Sequence, residues 1–121
     1  MNYAVLVVDD DRLVNEFLVE TLRRAGYDCT AAHSGEEALA RLNERDFDIV
    51  VTDLKMPGMD GLALLAQVKK ASPQTIVIMM TAYGTIDTAV KAIKNGAYDF
   101  LLKPVSPETV EHIIRRVAEV I

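Results

Sequence analysis

The sequence holds a single cysteine, Cys29, in 121 residues. With no partner in the chain it excludes a fold stapled by internal disulfides and fits a reducing, cytoplasmic setting. Basic charge is also short: thirteen Lys and Arg stand against eighteen Asp and Glu, a net charge of −5. Affinity for a phosphate backbone comes from clustered Lys and Arg, so this balance speaks against binding of DNA or RNA by this chain. No apolar run nears the ~20 residues of a membrane span. Met1-Asn2-Tyr3 leads straight into a strand pattern, without the basic and then apolar opening of a signal peptide. There is no GxGxxG and no GxxxxGK followed by Ser or Thr, so nothing here cradles a nucleotide. His33 and His112 have no metal-spaced partner and read as surface residues. What remains is ordinary globular material, 50% hydrophobic and 26% charged. A chain of this length makes one domain and buries roughly two thirds of its unfolded surface, enough to hold without a staple.

The apolar residues fall into two periods. Ala4–Val8 is an unbroken, mostly β-branched run, the mark of a strand buried on both faces. Residues 48–52, 75–80 and 98–102 repeat it, and Asp28–Ala32 is a more polar fifth run suited to a sheet edge. Between them the spacing turns helical. Val14, Leu18, Leu22 and Ala25 form a stripe ended by Gly26, and Ser34 with Glu37 makes a capping-box pattern opening a helix to about Arg45. Asp60 precedes Leu62, Leu65 and Val68, with Ser72-Pro73 as the stop. Thr85 opens residues 86–95 before Gly96, and Ser106-Pro107 starts a last helix to about Val120. Strand and helix alternate five times, which predicts an α/β domain over 1–121: a doubly wound (βα)5 parallel sheet in the flavodoxin-like order 2-1-3-4-5. The chain reads as a complete domain or as the N-terminal part of a longer protein.

Ligands of such sheets bind beyond the carboxyl ends of the strands. There the sequence places Asp9, Asp10 and Asp11, then Asp53, then Thr81-Ala82, then Lys103-Pro104. In the order 2-1-3-4-5 the first and third strands are neighbours, ~4.8 Å apart, so Asp9, Asp10 and Asp53 converge. Two carboxylates ~4 Å apart repel by about 4 kcal/mol at an effective dielectric of ~20. Such a cluster takes up a proton or a cation, and an all-oxygen donor set suits Mg²⁺. Lys103, roughly 10 Å from Asp53 at the backbone, can reach it along its stem, and Thr81 offers a hydroxyl one strand away. Carboxylate, metal, hydroxyl and ammonium together suit phosphoryl transfer.

Taken jointly, Val7-Val8-Asp9-Asp10-Asp11, the stretch from Thr52-Asp53 to Asp60-Gly61, Met80-Thr81-Ala82 and Phe100-Leu101-Leu102-Lys103-Pro104 resemble the receiver domain of two-component response regulators. The resemblance covers essentially the whole chain. It implies that Asp53 is the phosphoacceptor and that Asp10 is a direct Mg²⁺ ligand. Asp9 would hold the metal through water, and the Lys55 carbonyl would complete the protein ligands. Thr81, Lys103 and the Ala82 amide would contact phosphoryl oxygens, with Thr81 and Phe100 as switch residues. The Lys103-Pro104 bond is a candidate for cis. The Ala-Tyr-Gly and Gly-Ala-Tyr-Asp-Phe stretches are similar to the nitrogen-regulation type.

The partner implied is a sensor histidine kinase, docked on the first helix at Leu13, Val14 and Phe17. The output would pass through helix four, strand five and helix five to an output domain or partner protein, with a homodimer on the patch of Ile86, Val90 and Ile93. The domain would catalyse only its own phosphorylation and dephosphorylation, and is not counted as an enzyme. Two alternatives stand beside this reading. A degenerate receiver would serve only as a docking platform, yet all the key positions are filled. A haloacid-dehalogenase-type phosphatase would use Asp9 and Asp11, yet Arg12-Leu13 stands where Gly-Thr is expected and the chain leaves no room for a cap.

Overall fold

Every apolar run becomes a strand, and every stripe between them a helix. The computed structural model describes residues 3–82 and 85–121; Tyr83 and Gly84, of the Ala-Tyr-Gly stretch, lie outside the described residues, as do Met1 and Asn2. The elements are β1 (Ala4–Val8), α1 (Arg12–Arg24), β2 (Asp28–Ala32), α2 (Gly35–Glu44), β3 (Ile49–Asp53), α3 (Gly61–Ala71), β4 (Ile76–Thr81), α4 (Ile86–Lys94), β5 (Asp99–Leu102) and α5 (Pro107–Ala118). All pairings are parallel and the order is β2-β1-β3-β4-β5, as expected from the alternation.

Successive side chains of a strand point to opposite faces, which divides the interior in two. Leu6, Val8, Val50, Val77 and Met79 meet Ala38, Leu64, Leu65, Val68 and Ala92 of α2, α3 and α4. Val5, Val7, Ile49, Val51, Ile78 and Met80 meet Leu18, Leu22, Val110, Ile114 and Val117 of α1 and α5. Burying one such aliphatic side chain stabilises the fold by about 1.5–3 kcal/mol. Covering both faces explains why the central strands read as continuous apolar runs. The polar second run is indeed an edge strand.

The helix ends follow their capping residues. Asp11 accepts from the Leu13 and Val14 amides at 3.1 and 3.3 Å, and Gly26, with φ of 99°, turns the chain out of α1. Ser34 accepts from the Glu37 amide at 3.0 Å, but the Glu37 carboxylate reaches the His33 amide, so only half of the predicted capping box forms. Thr85 and Thr88 make a complete box at the start of α4, where the sequence pattern offered no Glu to signal one.

β3 and β4 each run one residue further than the apolar runs suggest, because the ladder continues through Asp53 opposite Met80 and Thr81 opposite Leu102. The two polar residues therefore sit on the sheet itself, at its carboxyl rim, and not in loops. α5 stops at Ala118, short of the expected Val120, which is 61% exposed.

Candidate functional site

The strand order brings the ends of β1 and β3 side by side. Asp9 follows Val8, which pairs with Ala32 on one side and Thr52 on the other, and Asp53 closes β3. One carboxylate oxygen from each of Asp9, Asp10 and Asp53 lies within 4.8 Å of the other two. Asp9 is fully buried and Asp53 nearly so, while Asp10 faces solvent. Lys103 extends across β4 from the end of β5. Its Nζ lies 2.6 Å from Asp9 Oδ2 and 3.3 Å from Asp53 Oδ2, closer to Asp9 than to the Asp53 contact the sequence suggested. The other Asp9 oxygen accepts the Asp11 amide at 3.0 Å.

Thr81 is buried at the end of β4, and its carbonyl accepts the Lys103 amide at 2.9 Å, which fixes the base of the lysine. Ala82 is exposed beside it. Lys55 is exposed in the loop two residues beyond Asp53. Phe100 is half-buried in β5, packed against the core on the α2, α3 and α4 side. The Lys103-Pro104 bond is cis. Next to the acids, Leu13, Val14 and Phe17 of α1 line an apolar cleft of about 490 Å³ with Met80, Ala82, Lys103 and Pro104.

Burial raises the Asp53 carboxyl above its ordinary value of 3.8; the Lys103 ammonium pulls it back and the Asp9 charge pushes it further up, with a net rise. Burial opposes the charge on Lys103, but its hydrogen bond to Asp9 and the fields of Asp53 and Asp9 prevail, holding it above 10.5. Between the unfolded and folded pKa of Asp53 the native state keeps a proton that the unfolded chain releases, so stability falls as pH rises through that window. At neutral pH the charge on Asp53 is thus a standing cost. Asp53→Asn is expected to raise the metal-free melting temperature at pH 7 by roughly 3–6 °C, what ~1 kcal/mol is worth in a domain of this size. Calorimetry should show the gain shrinking toward pH 3, where both states are protonated; a lowered melting temperature at pH 7 would contradict this account.

The donor set fits a hard divalent cation. It consists of carboxylate oxygens, crowded and partly buried, with the Asp53 carboxyl raised chiefly by that burial.

Residues 5–115 match the family model of the response regulator receiver domain, and the chain belongs to that family. It is 43% identical over 112 residues to the DNA-binding transcriptional regulator NtrC of Salmonella typhimurium, covering 93% of this chain and 24% of that protein. It is 41% identical over 115 residues to the transcriptional regulatory protein ZraR of Escherichia coli O157:H7, covering 95% of this chain and 26% of that protein. These relatives bear out the nitrogen-regulation likeness. The chain spans about a quarter of the length of the curated relatives it matches. Among solved structures, the receiver domain of NtrX from Brucella abortus superimposes with a TM-score of 0.90 at 37% identity, over 95% of this chain and 98% of that one. Chemotaxis protein CheY4 of Vibrio cholerae gives 0.92 at 32% identity, over 97% and 99%.

Two residues at the site escaped sequence reasoning. Asn15 is fully buried behind Asp9, and its only signal was a polar residue on the stripe it shares with Leu18, Val19 and Leu22. Gly61 stands in the motif after Asp53, yet its need for the absence of a side chain appears only when α3 is laid against β3. Among the described residues no helix is long and apolar enough to cross a membrane.

Proposed function

We propose that this domain accepts a phosphoryl group on Asp53 from a phosphohistidine of a sensor kinase, with Mg²⁺ bound. The observation that carries the reading is the convergence of Asp9, Asp10 and Asp53 beneath the Lys103 ammonium. An Asp53 carboxylate oxygen attacks phosphorus in line. The new O–P bond forms as the N–P bond breaks, and the imidazole nitrogen leaves with the electron pair and takes a proton. Bound Mg²⁺ would neutralise charge on the phosphoryl oxygens, held by Asp10 and Asp53, the Lys55 carbonyl, and Asp9 through water. Lys103 Nζ, already 3.3 Å from Asp53 Oδ2, supplies a fixed positive charge to the same oxygens. Thr81 and the Ala82 amide lie at the adjacent strand end to donate hydrogen bonds, and Phe100 responds as the switch aromatic. The chemistry is the domain's own modification, so it is not an enzyme in the usual sense, and its setting is cytoplasmic.

The apolar cleft between α1 and the segment after β5 suits docking of the kinase's helical phosphodonor, with Leu13 78% exposed beside the acids. On the opposite side Ile86 is 83% exposed and, with Val90, Ile93 and Leu102, leaves α4 and β5 an apolar face. That face suits a second copy of the domain, or an output domain, once Asp53 is modified. Light scattering should show the mean mass rising toward a dimer with a phosphate mimic bound; an unchanged monomer would remove the dimer from the proposal.

The decisive test is intact mass after incubation with acetyl phosphate. One added phosphoryl group is expected only when both Mg²⁺ and Asp53 are present. Labelling that survives Asp53→Asn would overturn the assignment, and no adduct under any condition would leave the fold serving as a docking platform.

A further inference from the structure

Asn15 closes the first turn of α1, its backbone amide donating to the Asp11 carbonyl at 3.0 Å, and is wholly buried. Its Nδ2 donates to the Ala32 carbonyl at 2.8 Å and to the Asp9 carbonyl at 3.1 Å, and lies 3.5 Å from the Val7 carbonyl. The Ala32 carbonyl also accepts the Asp9 amide at 3.1 Å. The peptide groups on both sides of Asp9 are therefore tied, through one side chain and one carbonyl, to the end of β2. The same amide's Oδ1 is buried with no hydrogen-bond partner among the described residues. A buried acceptor left unpaired costs stability, and leucine has the same branched outline without an acceptor to orphan, so what the asparagine adds at this position is its donor.

The consequence falls on the carboxylates. Once its backbone is fixed, the Asp9 side chain points where Lys103 Nζ meets it at 2.6 Å and the Asp11 amide at 3.0 Å, and Asp10 follows on the exposed side within reach of Asp53. Without the clamp the Asp9 carbonyl loses its side-chain donor, and α1 is no longer tied directly to the ends of β1 and β2 at this turn. We infer that Asn15 is a positioning residue for the cation site, setting the separation between the Asp9–Asp10 pair and Asp53. This inference rests on the metal-binding reading above.

The test is Mg²⁺ titration of the metal-free domain followed by amide NMR, for the wild type, Asn15→Leu and Val117→Ala. Val117, a buried residue in the last turn of α5, belongs to the apolar core between the sheet and α1 and α5, so its variant loses stability without losing the clamp. Asn15→Leu is expected to weaken Mg²⁺ binding about tenfold while Val117→Ala binds as the wild type does. Asn15→Leu binding within twofold of wild type would overturn the inference alone, whereas a wild type that binds no Mg²⁺ would overturn the metal reading and this inference together. Should Asn15→Leu fail to fold, the wild type still decides. The Asn15 side-chain amide resonances must shift along the same titration curve as the Asp10 amide, and resonances that stay still while Asp10 moves would refute the clamp.

Discussion

Replacing Lys103 with methionine is expected to destabilise the metal-free domain by about 3 kcal/mol, the cost of leaving buried charge without its partner. The melting temperature should fall by roughly 10 °C. Methionine keeps the apolar stem, so the loss isolates the ammonium that now lies 2.6 Å from Asp9 and 3.3 Å from Asp53. Asp9 is fully buried and cannot trade that contact for water. Two signatures separate this cause from a packing defect. Saturating Mg²⁺ should restore most of the loss, since a dication in the same carboxylates replaces the missing charge. Acid should restore part of it as well, because the raised Asp53 carboxyl takes up a proton and one of the charges that needs a counterion disappears. A variant melting within 2 °C of wild type in metal-free buffer would show that Lys103 does not balance these acids. Lys103→Arg keeps the charge, but its planar fork replaces a compact ammonium, and an intermediate result is expected.

Gly61→Ala is expected to cost about 3 kcal/mol by overpacking and to weaken Mg²⁺ binding at the same time. An added Cβ would stand 2.8 Å from both the Leu54 Cα and the Met79 Sδ and closer still to the Asp53 carbonyl oxygen. Two of these are backbone atoms of the segment that carries Asp53, so relief requires moving either α3 or the end of β3. The tight bonds from the Gly61 amide to the Leu54 carbonyl and from the Leu54 amide to the Met80 carbonyl, both 2.7 Å, leave little slack. Gly26 is the control. Its φ of 99° makes Gly26→Ala strained, by about 1–2 kcal/mol, yet a Cβ there would meet nothing within 4 Å and the acids lie at the far end of β1. Thermal melts paired with Mg²⁺ titrations distinguish the two. Gly61→Ala should lose both stability and affinity, Gly26→Ala stability alone. Unchanged Mg²⁺ affinity in Gly61→Ala would mean that α3 yields and the site does not.

Much of this molecule could be read from residue order alone, for a definite reason. Unbroken β-branched runs at Ala4–Val8 and its repeats can be satisfied only by strands covered on both faces, and helical stripes with their own caps supply the cover. Alternation then confines the topology to parallel crossovers, and the carboxyl-end rule points to Asp9, Asp10, Asp53, Thr81 and Lys103 without any coordinate. Three-dimensional packing decided the rest, because it depends on distances between segments far apart in the chain. Lys103 lies 94 residues from Asp9, and only the twist and register of the sheet determine that its ammonium settles nearer Asp9 than Asp53. Asp53 and Thr81 belong to the strands because the ladder continues past the apolar runs, which local hydrophobicity does not register. Asn15 and Gly61 matter through backbone they touch across the fold, one by donating to carbonyls of β2 and the β1 end, the other by having no side chain where α3 meets Asp53. Composition and periodicity carry the chemistry of the side chains; the close approach of backbones, which positions that chemistry, arises only once the chain has packed.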